Sequence, residues 1–96
     1  MIVSICKFDL FLLDEPDNLK SKRQVLRHLK ERLKSHFNAA VAEVDFQDKW
    51  QRTVIGISFI SLYESDAEKI CEKLMNFIER DGRLEIFDKY IDHVFV

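Results

Sequence analysis

From Ile2 to Leu13 the chain alternates. Ile2, Ser4, Cys6, Phe8, Leu10 and Leu12 fall on one side and Val3, Ile5, Lys7, Asp9, Phe11 and Leu13 on the other, which predicts a strand with one clean apolar face and one mixed face. Asp14-Glu15-Pro16-Asp17-Asn18 collects turn formers and the single proline, and Asn18 stands where a side-chain oxygen accepts hydrogen bonds from a first helical turn. A helix is expected from Leu19 to Phe37, because Leu19, Leu26, Leu29, Leu33 and Phe37 share about 80° of helical arc with Val25 beside them. Ala39 to Asp45 and Thr53 to Leu62 read as two further strands, the latter with Ile55, Ile57 and Phe59 on one face; Phe46 to Arg52 is the polar connection between them. Ser65 and Glu68 have the spacing of a capping box opening a second helix, whose Ala67, Ile70, Cys71, Leu74, Phe77 and Ile78 share a face. Asp81-Gly82 ends that helix, the glycine suiting a left-handed cap, and Leu84 to Val96 returns to β-branched and aromatic residues as a last strand.

The order β-α-β-β-α-β is that of the ferredoxin-like α+β sandwich, a four-stranded antiparallel sheet with two helices on one face, here as one domain over 1–96. The expected strand order is 4-1-3-2, with the most apolar strands central. The second sheet face is then uncovered. It is expected to carry Val3, Ile5, Lys7, Asp9 and Phe11, then Val54, Gly56, Ser58 and Ile60, and Val41, Glu43 and Asp45 from the second strand. So much apolar area points to an interface, for which Val3, Ile5, Phe11, Val54 and Ile60 are the candidates and a homo-oligomer, simplest as a homodimer, the candidate assembly.

Composition narrows the function classes. With 47% hydrophobic residues, 2 Gly and 1 Pro the chain is too apolar for disorder, and a formal charge of -2 offers no argument for nucleic acid or membrane from net charge alone. The placement of charge does. Residues 20–34 hold seven of the 15 Lys and Arg but only Glu31 of the 17 acids. Lys20, Arg23, Arg27, Lys30 and Lys34 line one ridge spanning about 80° of the helix, where like charges at i,i+3 and i,i+4 repel and a polyanion would relieve them. Neighbouring Asp or Glu would relieve them equally well. Lys22 is different: it lies on the core side with Leu26 and Leu29, so it either snorkels to the rim or reaches a carboxylate or ligand at the sheet edge.

Trp50 and Arg52 in the connection suit base stacking and phosphate contact, or else a plug over a hairpin end. Glu43 and Asp45, two apart on a strand, would share a face and suggest a small-anion site or enzyme with Lys22 and Arg52. No His, third carboxylate or phosphate loop joins them, so no catalytic residue, metal or cofactor is assigned. Cys6 and Cys71 read as buried thiols, and His28, His36 and His93 as surface residues without ligand spacing. The first residues lack a basic region, and their apolar run meets Lys7 and Asp9 far short of a membrane span, so a cytoplasmic protein with no membrane partner is expected. The stacking aromatics of the RNA-recognition module are missing from the third strand.

Asn18-Leu19-Lys20-Ser21-Lys22-Arg23 is close to a Ser-Leu-Lys-x-Lys-Arg pattern. About twenty residues on come Val41-Ala42-Glu43-Val44-Asp45, Gln47-Asp48 and Trp50-Gln51-Arg52. These runs resemble the YlxP-like family of small bacterial proteins of unknown function, over nearly the whole chain. The resemblance implies a ferredoxin-like fold and, from genes that often lie beside those of translation initiation factor two and ribosome-binding factor A, a role near ribosome assembly or RNA. Phe46 stands where many relatives have His, and Asn18 replaces Ser, so a His-based role there has no counterpart in this chain. The leading expectation is a non-enzymatic RNA- or ribosome-associated module contacting phosphates through Lys20, Lys22, Arg23, Arg27, Lys30 and Lys34, with Trp50 and Arg52 at its edge.

Overall fold

A computed structural model describes residues 1–96. It contains β1 (Ile2–Leu12), α1 (Leu19–His36), β2 (Ala39–Asp45), β3 (Arg52–Ser61), α2 (Glu64–Arg80) and β4 (Leu84–Phe95). The sheet is antiparallel, ordered β2-β3-β1-β4, and both helices lie on one face: the ferredoxin-like arrangement. The alternating residues of β1 from Ile2 to Leu12 pack with Ile55, Ile57 and Phe59 of β3 against Leu26, Leu29 and Leu33 of α1 and Ala67, Cys71, Leu74 and Ile78 of α2. Burial removes the apolar rows of four elements from water at once, and that fixes the layering.

Local chemistry sets the helix ends. Asn18 caps α1, its Oδ1 accepting from Ser21 N at 2.8 Å. The capping box expected at Ser65 is not used: α2 starts two residues earlier than that cap implies, at Glu64, with Tyr63 as an N-cap that makes no side-chain bond. Ser65 and Glu68 are thus inside the helix, with Glu64 and Asp66 meeting the positive end of its dipole. Gly82 follows α2 at φ +81°, in the left-handed region that favours glycine.

The second strand departs from strict alternation. Val41 pairs with Ile57 and Glu43 with Ile55, both on the helix-covered face, whereas Asp45 pairs with Val54 of the open face. The register shifts between Glu43 and Asp45, so Val44 is the extra residue of a β-bulge. The open face expected to carry Val41 and Glu43 therefore carries neither. Alternation over Ala-Ala-Val-Ala-Glu-Val-Asp fits either parity, and burying Val41 in the core decides it. A second shift lies in β4, where Asp9 pairs with Asp88 but Leu10 with Ile86, leaving Phe87 unpaired and its ring 4.6 Å from that of Phe11.

Candidate functional site

The basic helix meets its carboxylates unequally. Lys22 does not snorkel. It is fully buried, and its Nζ lies 3.0 Å from Glu43 Oε2 and donates to the carbonyl oxygen of Phe46 at 2.5 Å. Thr53 Oγ1 donates to the same Glu43 oxygen at 2.5 Å. Helix periodicity aims this ammonium inward, and β2 supplies the carboxylate that makes its burial tolerable. The contact also shows that α1 begins at the sheet end where β2 turns into β3. With its charge enclosed, Lys22 has no ammonium to offer an outside phosphate, which removes it from the expected contact set.

Arg32, at the other end of α1, reaches Asp81 Oδ2 at 3.0 Å, and Arg83 Nε reaches Asp81 Oδ1 at 2.5 Å. Hydrogen bonds from Arg83 hold the Asp81 carboxyl below the usual carboxylate range against the opposing effect of burial, with the charges of Arg83 and Arg32 adding to the depression. In return the carboxylate raises Arg83 above its ordinary value. Asp81 reads from sequence only as a helix end; the loop that brings Arg83 back towards α1 is what makes it a hub.

The remaining cations Lys20, Arg23, Arg27, Lys30 and Lys34 form no ion pair. All are exposed except Lys30, which is half-buried. Their spacing over fourteen residues gives a ridge about 21 Å long on the outer side of α1.

Trp50 is 49% exposed in the β2–β3 connection, without a stacked aromatic partner of its own. Arg52 pairs in register with Phe11 and turns to the open face, where its guanidinium lies 4.5, 4.7 and 5.4 Å from the ring centroids of Phe46, Phe87 and Phe11. The four residues grouped as a small-anion site are thus split: Lys22 and Glu43 meet under the helices, while Asp45 and Arg52 belong to the open face. The bulge at Val44 separates them. Sequence reading missed the aromatic cage because Phe11, Phe46 and Phe87 converge only through register and a positive φ of 58° at Phe46.

Among the expected interface residues, Ile60, Ile5 and Phe11 are 61%, 42% and 37% exposed, Phe11 lying against Phe87 and Arg52, but Val54 keeps only 7% of its surface. One apolar part of the open face therefore lies at Val3, Ile5, Ile60 and Val94, and a second at Phe11 and Phe87 beside Arg52. Cys6 and Cys71 are buried with Sγ atoms 3.7 Å apart. Burial first, and then the neighbouring Cys71, push the Cys6 thiol up to about 12, and burial raises Cys71 too, so neither is a nucleophile at neutral pH. His93 is half-buried, its Nδ1 2.8 Å from Ser4 Oγ, while His28 and His36 are exposed as expected. No helix is long and apolar enough to cross a membrane.

Comparison with known proteins places the chain in a family. Residues 3–91 match the model of a family described as a protein of unknown function, DUF503. The uncharacterized protein YlxP of Bacillus subtilis (strain 168) is 32% identical over 74 residues, covering 77% of this chain and 80% of that protein. The chain belongs to this DUF503, YlxP-like family of unknown function.

Proposed function

We propose that the protein is a non-enzymatic binding module for structured RNA or a ribosomal particle, engaging phosphates through Lys20, Arg23, Arg27, Lys30 and Lys34. One observation carries this reading. In a chain of net charge -2, five cations stand on one helix ridge without an intramolecular carboxylate, although Lys22 and Arg32 of the same helix each have one. Each like-charge neighbour pair costs roughly 0.2–0.5 kcal/mol, which a polyanion offsets while releasing its own counterions. Such contacts position a nucleic acid without reading its sequence. The implied place of the family near ribosome assembly supports the same partner class.

The test is binding of the full chain to a ribosomal RNA fragment by fluorescence anisotropy between about 50 and 300 mM salt. Affinity should fall steeply, with a log-log slope of about -0.7 to -0.9 for each cation engaged, and the triple reversal Arg23→Glu, Arg27→Glu, Lys30→Glu should remove most of it. Salt-independent affinity, or a triple variant that binds as the parent does, refutes the reading.

A second reading rests on the open face. Ile5 and Ile60, with Val3 and Val94, form an apolar patch that no element of the chain covers, which favours a homo-oligomer closed through this patch. The ridge lies in the helix layer, so both readings can hold together.

A further inference from the structure

Towards the β2–β3 turn the open face dips into a depression of about 450 Å³, within the range of small-molecule sites. The Arg52 guanidinium forms part of its wall. Three phenyl rings engage it by cation-π contact, yet none of its N–H donors finds an acceptor: Arg52 makes no ion pair and no hydrogen bond, and its Nε is buried without a partner. It is the one buried side-chain nitrogen or oxygen in the chain so placed. The Nη nitrogens lack partners as well and are not buried, so the charge-bearing end of the fork is open to solvent.

Across the same depression the sheet holds negative charge without a countercharge, although Asp88 Oδ1 accepts from Lys89 N at 2.8 Å. Asp9 and Asp88 are directly opposed between β1 and β4, an arrangement that destabilises a sheet, and neither has an ion-pair partner. Asp45 lies nearby, its Oδ1 accepting from Phe46 N at 2.8 Å, and Lys7 adds a second cation. The Lys89 side chain turns away from the open face, its ammonium reaching Met75 Sδ of α2 on the other side of the sheet. The lining therefore holds side chains of both signs with no ion pair among them. An anion alone would meet three carboxylates, and a cation alone would meet Arg52 and Lys7. No group of three or more His, Cys, Asp and Glu side chains is disposed to hold a metal ion, so a bound divalent cation does not fit.

We propose that this depression binds a small zwitterion of the free α-amino acid class, its carboxylate on the Arg52 fork and its ammonium at the Asp9–Asp88 pair. A guanidinium edge matches a carboxylate with two parallel hydrogen bonds, and the rings hold that edge in place. The proposal is independent of the polyanion ridge.

The experiment is a two-dimensional amide NMR titration of the full chain with each of the twenty amino acids. The same titration uses the N-acetyl and carboxamide derivatives of any that bind, and inorganic phosphate. At least one amino acid should shift the amides of Asp9, Arg52 and Asp88 saturably, and blocking either its amine or its carboxylate should weaken binding at least about tenfold, the equivalent of one charged contact. Arg52→Lys, which keeps the charge but not the fork, and Asp88→Asn should each weaken it by a similar factor, while the triple reversal on α1 leaves it unchanged. If Arg52→Lys loses its dispersed spectrum, Asp88→Asn decides. Absence of saturation by every amino acid, equal binding of a blocked derivative, or phosphate binding as tightly as the zwitterion overturns the proposal.

Discussion

Lys22 places an ammonium where the spacing of Leu26, Leu29 and Leu33 calls for hydrocarbon, and the fold accommodates it through one carboxylate oxygen and a backbone carbonyl. Breaking a buried pair from one side leaves the other charge stranded, which costs about 3 kcal/mol or more, whereas removing both charges together costs far less. Urea unfolding of Lys22→Met, Glu43→Gln and the double variant should give two large single losses and a double loss well below their sum. Additive losses would show that the two side chains stabilise the fold separately. The pair also ties the first turn of α1 to the β2–β3 turn, so the single variants should loosen the connection bearing Trp50.

At the scale of elements, the bulge in β2 decides what the sheet can display. Val44, the extra residue, folds over Gly56, where a Cβ would lie 2.9 Å from Val44 Cγ1. Valine is stiff about χ1, so neither partner yields easily. Gly56→Ala should cost about 1–3 kcal/mol by thermal or urea unfolding, the usual range for overpacking, and Val44→Ala in the same chain should recover most of it. A Gly56→Ala chain as stable as the parent would mean that the bulge shifts freely. Helix α1 shows the complementary case, an element whose inner face obeys packing while its outer face keeps a repulsion that no neighbour relieves.

For the molecule as a whole, Asp81 joins the end of α1 to the loop after α2. Its carboxyl titrates below the usual value, so its contribution is fully present above about pH 4, the unfolded carboxylate value, and is lost as pH falls through the lower folded value. Asp81→Asn should therefore be less stable than the parent at pH 7, and the gap should narrow below pH about 4 in urea unfolding at each pH. A gap constant down to pH about 2 would contradict the assignment. The open face gives the other molecular-scale expectation: if Val3, Ile5, Ile60 and Val94 seal a homo-oligomer, Ile5→Asp or Ile60→Asp should yield monomer by light scattering. A monomeric parent ends that reading.

Periodicity and punctuation determined most of the architecture, because each apolar row has one way to leave water. Element order, the central position of β1 and β3, the Asn18 cap, the Gly82 stop and the inward aim of Lys22 all follow from spacing within about ten residues. The cationic ridge was legible for the same reason, since the residues of one helix fix its wheel. Tertiary structure alone decided which cations find carboxylates, because Asp81 and Glu43 reach α1 only through turns far along the chain. It also decided the parity of β2, where alanines on both faces leave the core contact of Val41 as the arbiter. The Arg52 cage and the opposed Asp9 and Asp88 depend on register between strands that lie 40 to 80 positions apart, which no local pattern specifies.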